Sequence, residues 1–402
     1  MMMAVRSVFI KEYRDMRIKF IKLIDKYLGI PLVSFFSCLR YLRIKRKTQE
    51  KKEKTILFVK FWGMGNIILS LPAVRAVEKT FPDSKILFLT LEKNRGLVEG
   101  CHLSDEVLYL KLGSFFKLCL NSVKLIFNLR RRKIDIVFDF EEFARFSTLL
   151  IYLSGARNRI GFSTKGIYRA DLYTKTLPFE ENRHTMENFI DLVELAGVKV
   201  SDVDYIKISY SQKDMVYIDS FLDGSLKDSR PIIGLNVGSG PNVLLRRWPT
   251  HNFIELGNIL MQELGARLLF VGTENERAIV DSVVKKLNQI PLNLVGLTNM
   301  TQLAYLIERC HIFISNDSGL AHFAQAMKVP TVVLFGPESS AKYGPRDSMH
   351  KAIYRNLSCS PCLSVNNMKS TRCKNPICIE KITVEEVFNE AKRFYEKRAV
   401  AG

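Results

Sequence analysis

Apolar residues fall along this chain in two patterns that take turns. Short unbroken runs rich in β-branched and aromatic residues predict buried strands at 56–61 (ILFVKF), 85–91 (KILFLTL), 106–110 (EVLYL) and 135–140 (DIVFDF), with a shorter one at 159–162. Between them, apolar positions recur every three or four residues. That spacing predicts helices ending near Lys79 and covering 114–130, 142–153 and 184–196. Pro72 lies inside the first and is expected to bend it. After a polar stretch at about 198–230 the alternation restarts. Strands are predicted at 231–237, 266–272, 292–296, 312–315 and 331–336, and helices at 250–264, 274–287, 300–309 and 320–327. A charged amphipathic helix runs from Thr383 to about Lys397. Strands alternating with helices imply parallel sheets covered on both faces. The chain therefore reads as α/β, with two similar units and no short-period repeat.

The expected divisions are an extension over 1–54, a first unit over 55–205, a second over 206–380 and a C-terminal helix over 381–402. That helix could pack back on the first unit. In the extension, Val8, Phe9, Tyr13, Met16, Phe20, Leu23, Ile24 and Leu28 recur at helical spacing between basic residues. The charge-free run Tyr27–Leu39 holds 13 residues, too few to span a bilayer. A basic stretch, Arg40 to Lys54, follows.

Charge sharpens this picture. The chain carries a net +19, and residues 1–54 hold 15 Lys/Arg against 5 Asp/Glu, or +10 of it. A cationic, amphipathic segment suits a peripheral anchor on an anionic membrane surface; a solvated extension is the plainer alternative. Nucleic acid is a weaker partner class, because half the charge sits in the extension and no recognised nucleic-acid motif is present. No export signal is evident, and the 8 cysteines then imply mostly reduced thiols in a cytoplasm.

The candidate chemistry sits where strands end. In HIFISNDSGLAHFAQAM (311–327) a strand breaks into Asn316-Asp317-Ser318-Gly319 and opens a helix. Such a turn aims free backbone N–H groups at the space above the sheet, which suits a phosphate or diphosphate. Ser318 and His322 share one helix face. The strand at 231–237 ends in Gly238-Ser239-Gly240, with Arg246-Arg247-Trp248-Pro249 beyond it. Glycines permit close approach to a phosphate, and an arginine can neutralise it with forked hydrogen bonds. Glu274, after the next strand, could accept a ribose hydroxyl or offset a helix dipole. In the first unit, Gly63-Met64-Gly65-Asn66 is half a dinucleotide fingerprint; Ile68 stands where its third glycine would be. Asp202-Val203-Asp204 lies in the polar stretch and reads as chance. Cys359, Cys362, Cys373 and Cys378 could hold a metal, pair as disulfides or stay as thiols.

Over residues 55–395 the sequence resembles glycosyltransferase family 9, the ADP-heptose:lipopolysaccharide heptosyltransferases. The likeness rests on VKFWGMGNIILSLPAVRAV, the Gly-Ser…Arg-Arg-Trp-Pro loop, VGTENE and SNDSGLAHFAQAMKVPTVVLFGP. It implies a GT-B fold, two Rossmann-like domains across a cleft, with an acceptor-side first domain bearing Gly63 and Gly65. It implies an inverting, metal-independent transfer from a nucleotide sugar, ADP-heptose by family, to a lipopolysaccharide-core or other lipid-linked acceptor. The enzyme would work on the inner face of the cytoplasmic membrane. Gly238, Ser239, Arg246, Glu274, Asp317, Ser318, Gly319 and His322 fall at donor-binding positions. Asn66 falls where many members have an aspartate proposed as the base, and an amide cannot take a proton at neutral pH. Either a neighbouring carboxylate acts (Asp139 and Glu141 are preferred, Glu142 a further candidate), or Asn66 only positions the acceptor, or the chain is a non-catalytic nucleotide-sugar-binding relative.

Overall fold

The computed structural model describes residues 25, 27–40, 53–200, 203–222, 230–240, 244–365, 367 and 369–401. Its frame is two six-stranded parallel sheets. The first takes β1 (Thr55–Val59), β2 (Lys85–Leu91), β3 (Glu106–Leu110), β4 (Ile136–Asp139), β5 (Asn158–Ser163) and β6 (Lys175–Pro178) in the order β3-β2-β1-β4-β5-β6. The second takes β7 (Ile232–Asn236), β8 (Arg267–Phe270), β9 (Leu292–Asn293), β10 (Ile312–Asn316), β11 (Thr331–Phe335) and β12 (His350–Tyr354) in the order β12-β11-β10-β7-β8-β9. Counted from its own first strand, each sheet is wound the same way. In both, the strand order reverses beside the first strand, between β1 and β4 and between β7 and β10. Open α/β sheets bind ligands at the carboxyl ends of the strands at that point.

Helices fill three layers. Helix α1 is Gly29–Arg40, α2 Met64–Thr80, α3 Phe115–Arg131, α4 Arg145–Ser154, α5 Thr185–Glu194 and α6 Gln212–Leu222. In the second half α7 is Thr250–Glu263, α8 Arg277–Val284, α9 Met300–Glu308, α10 Gly319–Ala326 and α11 Val384–Ala401. The middle layer joins α2 and α5 to α9 and α10. Its core is continuous from Phe58 and Ile68 to Phe313 and Phe323. Helices α3 and α4 cover the outer face of the first sheet, and α7, α8 and α11 that of the second.

Several expectations change. The polar stretch contains α6, whose buried Ile218 and Leu222 are too few to stand out in QKDMVYIDSFL. The edge strands β6 and β12 are partly exposed and lack the apolar runs of the inner strands. The C-terminal helix does not return to the first unit. Its stripe Val384, Val387, Ala391 and Phe394 completes the outer core of the second sheet, and Trp248 Nε1 donates to Ile382 O at 2.9 Å. The run Tyr27–Leu39 is largely α1, seated by Val33 on Tyr152 and Leu172. Asp25 caps α4 by accepting from Phe146 N at 2.9 Å. The predicted helix at 4–28 and the basic stretch from 41 to 52 lie almost wholly outside the described residues. No described helix is long and apolar enough to cross a membrane.

Candidate functional site

Charge gathers at the reversal point of the first sheet. Lys60 follows β1 and is fully buried. An unpaired ammonium there would cost several kcal/mol. Its Nζ donates to Glu142 Oε2 at 2.9 Å and to Phe140 O at 3.0 Å, and lies 3.6 Å from Glu141 Oε2. Burial alone would lower the Lys60 pKa, but Glu141 and Glu142 beside it hold it above the usual lysine value. Burial likewise would raise Glu142; the cations of Lys60 and Lys369 overcome it and keep that carboxyl below its usual range. Asn66, in the first turn of α2, donates from Nδ2 to Glu142 Oε1 at 2.9 Å. The carboxylate facing Asn66 is therefore Glu142.

Asp139 and Glu141, the preferred base candidates, point elsewhere. Asp139 is fully buried and accepts from the Tyr173 hydroxyl at 2.5 Å and the Ser147 hydroxyl at 2.8 Å, with Arg169 at 3.7 Å. Glu141 accepts from the backbone N–H of Phe61 at 2.6 Å and of Trp62 at 3.1 Å. Burial pushes it up to about 7, offset in part by Lys60 and reinforced by Glu142 and Asp139. The strand ends at Asp139, so Glu141 and Glu142 lie in the irregular segment beyond it, where Glu141 turns to the Phe61 and Trp62 N–H groups and Glu142 to α2.

The second sheet meets this site from the opposite side. Asn236 Nδ2, ending β7, donates to Ser315 Oγ at 3.0 Å and Ser318 Oγ at 2.8 Å. Asn316 Nδ2 donates to the carbonyls of Val237 and Gly238 at 2.9 and 3.0 Å. These amides tie the ends of β7 and β10 together. Ser318 caps α10 by accepting from Leu320 N at 3.2 Å. Arg246 Nε lies 3.3 Å from Asp317 Oδ2, and its Nη2 donates to Glu338 Oε2 at 2.7 Å. Lys369 Nζ lies 3.2 Å from the same Glu338 oxygen and donates to the Tyr343 hydroxyl at 2.7 Å.

The starts of α2 and α10 abut. A Cβ on Gly65 would fall 2.5 Å from the His322 ring, and one on Gly319 would fall 2.6 Å from Met64 and 3.3 Å from Gly65 N. Only glycine permits this approach. Gly63, with φ of 81°, turns the chain into α2. Burial, with His184, Lys369 and Arg246 nearby, pushes the His322 imidazole down to about 3, so it is neutral at physiological pH. Its Nδ1 is buried without a hydrogen-bond partner among the described residues.

The remaining candidates are placed less centrally. A Cβ on Gly238 would meet Glu276 Oε1 at 1.7 Å, and Gly240 N donates to that oxygen at 3.2 Å. Glu276 is thus the acid turned toward the glycine loop, where Ser239 is also buried. Glu274 stands at the exposed start of the same turn, forked onto Arg277 at 2.7 and 2.8 Å. Cys359 and Cys373 are exposed, Cys362 is half-buried and Cys378 is buried; all four are free thiols. Among the described residues no three His, Cys, Asp or Glu side chains are arranged to hold a metal ion.

Comparison with known proteins gives the family and the fold. The model of glycosyltransferase family 9 (heptosyltransferase) matches residues 122–371. The chain belongs to that family. It is 22% identical over 345 residues to lipooligosaccharide heptosyltransferase 2 of Campylobacter jejuni, covering 84% of this chain and 97% of that one. It is 26% identical over 301 residues to lipopolysaccharide heptosyltransferase 2 of Escherichia coli, covering 72% and 84%. Among solved structures, a family 9 glycosyl transferase from Veillonella parvula superposes with a TM-score of 0.76 at 22% identity, over 88% of this chain and all of that one. The E. coli ADP-heptose lps heptosyltransferase II gives 0.68 at 21%, over 86% and 99%. The fold of this family 9 chain is GT-B.

Motif reading passes over four side chains of the site. Lys60 has a signal, a lone cation inside the apolar string ILFVKF, which a buried strand tolerates only with a counter-charge. Asn236 has a weaker one, a polar residue closing a buried strand. Glu338 and Lys369 have none, since each arrives from a loop.

Proposed function

We propose that this family 9 chain is an inverting heptosyltransferase, moving heptose from ADP-heptose to a lipopolysaccharide-core or other lipid-linked acceptor. The observation that carries the reading is the facing of two half-sites. The Asn66–Glu142 pair stands at the start of α2, and the Ser318-Gly319 turn with Arg246 stands at the start of α10, which abuts it. The relatives' names supply the sugar, and one E. coli heptosyltransferase of the same fold, with a TM-score of 0.59, is described with ADP-2-deoxy-2-fluoro heptose.

In this reading residues 55–205 present the acceptor and 206–380 bind the donor. Asn66 orients the acceptor hydroxyl and Glu142 takes its proton. The hydroxyl oxygen bonds to the anomeric carbon as the bond from that carbon to the β-phosphate oxygen breaks, and the electron pair leaves with ADP. Attack opposite the leaving group inverts the anomeric centre. Arg246, Lys369 and the backbone N–H groups at Gly319 supply positive charge to the departing diphosphate without a metal. An incoming diphosphate competes with Asp317 and Glu338 for those cations. The extension, with +10 of the charge, holds the enzyme on the inner face of the cytoplasmic membrane.

The test is transfer from ADP-heptose to heptose-deficient core acceptor, with the product linkage read by NMR. A heptoside of configuration opposite to the donor supports the proposal. Donor binding without any transfer would leave the non-catalytic alternative in its place, and retention would exclude in-line attack.

A further inference from the structure

Helix α3 buries one face and leaves a second apolar face bare. Ser122, Leu125 and Leu129 turn toward the first sheet. On the opposite side Phe116, Leu120, Val123 and Phe127 follow one another at helical spacing and are 71%, 45%, 50% and 59% exposed. Lys117, Lys124 and Arg131, seven residues apart, run along the flank of this stripe. No Asp or Glu occurs between Glu106 and Asp135, whereas 7 Lys or Arg do. Two phenylalanines this exposed on one stripe signal a contact surface. A bare apolar stripe beside a cationic row has the chemistry of a helix lying in a membrane interface.

The neighbouring layer extends the surface. Helix α4 packs against both α3 and α1. On α1, Leu32 and Phe35 are exposed while Val33 is buried. These two bare helix faces thus belong to one outer layer, and α1 is itself part of the cationic extension.

We propose that α3 lies in the interface of an anionic lipid bilayer, with Phe116, Leu120, Val123 and Phe127 at the acyl boundary and Lys117, Lys124 and Arg131 on the headgroups. The folded body then docks through its own surface, in addition to the extension. This rests on the membrane-acceptor reading above. Charge selects the bilayer over a second copy of the chain: a two-fold contact would set each cationic row near its own equivalent with no acid between them.

Flotation of the full chain with phosphatidylcholine vesicles, with and without phosphatidylglycerol, tests this. Phe116→Ser combined with Phe127→Ser, and Lys117→Glu combined with Lys124→Glu, change exposed side chains outside the nucleotide site. Each pair should weaken binding to anionic vesicles about tenfold or more, with ADP affinity unchanged. Arg43→Glu with Lys45→Glu and Arg46→Glu reports on the extension separately. If the α3 variants float like wild type while the extension variant is released, the inference fails and the membrane reading stands. If wild type does not float on anionic vesicles, the membrane reading itself fails. If the phenylalanine pair converts a dimer to a monomer in light scattering without changing flotation, the face is a dimer contact and the inference fails.

Discussion

The Asn66 side-chain amide donates to Glu142 Oε1 at 2.9 Å, and Lys60 holds the other Glu142 oxygen at the same distance. Burial alone would protonate Glu142, and the cations of Lys60 and Lys369 keep it charged. The pairing with Asn66 gives the turn Gly63-Met64-Gly65-Asn66 an acid one residue away from it in space, where the family pattern places one within it.

Glu142→Gln should therefore abolish most transfer while leaving the donor bound. A positioned base typically contributes roughly 10²–10⁴ in rate, so kcat should fall by that order with the ADP dissociation constant unchanged. Lys60 loses one of two counter-charges in this variant, so its thermal midpoint needs to be recorded beside the rate. A variant that is folded and fully active would remove Glu142 from the reaction.

Asn66→Asp places a second carboxyl where the amide now touches Glu142. Two carboxylates at that separation cannot both ionise freely, so the pair should hold a proton to higher pH than Glu142 alone. The acid limb of the pH–rate profile should move upward by about one unit or more, with activity recovered at alkaline pH. An acid limb that stays in place would show that the two side chains do not share a proton.

The two-unit architecture was legible because inner strands of parallel sheets are buried on both sides and so read as unbroken apolar runs. Edge strands such as Lys175–Pro178 are wet and carry no such run. The turns at strand ends were legible too, since Gly65, Gly238 and Gly319 sit where a neighbouring element comes too close for a Cβ, and Gly63 turns the chain at positive φ. Pairing was not. Asp139, Glu141 and Glu142 differ in sequence by one or two places, yet one binds Tyr173, one binds backbone N–H groups and one reaches Asn66. Lys369 comes to Glu338 from the cysteine-bearing tail, 31 residues on, and no local pattern announces it.

Arg246→Ala should weaken ADP binding by about 1.5–3 kcal/mol, the usual worth of a hydrogen bond to a charged group. Asp317 and Glu338 both face Arg246, so its loss also leaves negative charge where the diphosphate would sit. Arg246→Lys keeps the charge but not the fork, and should recover part of the loss. Calorimetric titration with ADP measures both. Equal affinities for wild type and Arg246→Ala would take Arg246 out of the donor site.

Stability should depend on pH through three buried groups acting in two directions. Burial, then its cationic neighbours, pushes His322 down to about 3 and His184 to about 4. Below the unfolded value of about 6.5 the unfolded chain takes protons that the native state refuses, so stability is full above that pH and falls as pH drops. Glu141, pushed up to about 7, acts oppositely: from about 4.5 upward the unfolded chain gives up a proton that the native state keeps, so stability falls as pH rises. Near pH 5 these three groups leave a net excess of roughly one proton on the unfolded chain, and the excess shrinks as pH rises to about 6.5. His322→Gln should flatten the stability slope in that window by up to about 1.4 kcal/mol per pH unit, and Glu141→Gln should steepen it by a similar amount. Urea unfolding of the three proteins across the window reads the slopes. Parallel curves would mean that neither side chain is held in the protonation state its surroundings impose.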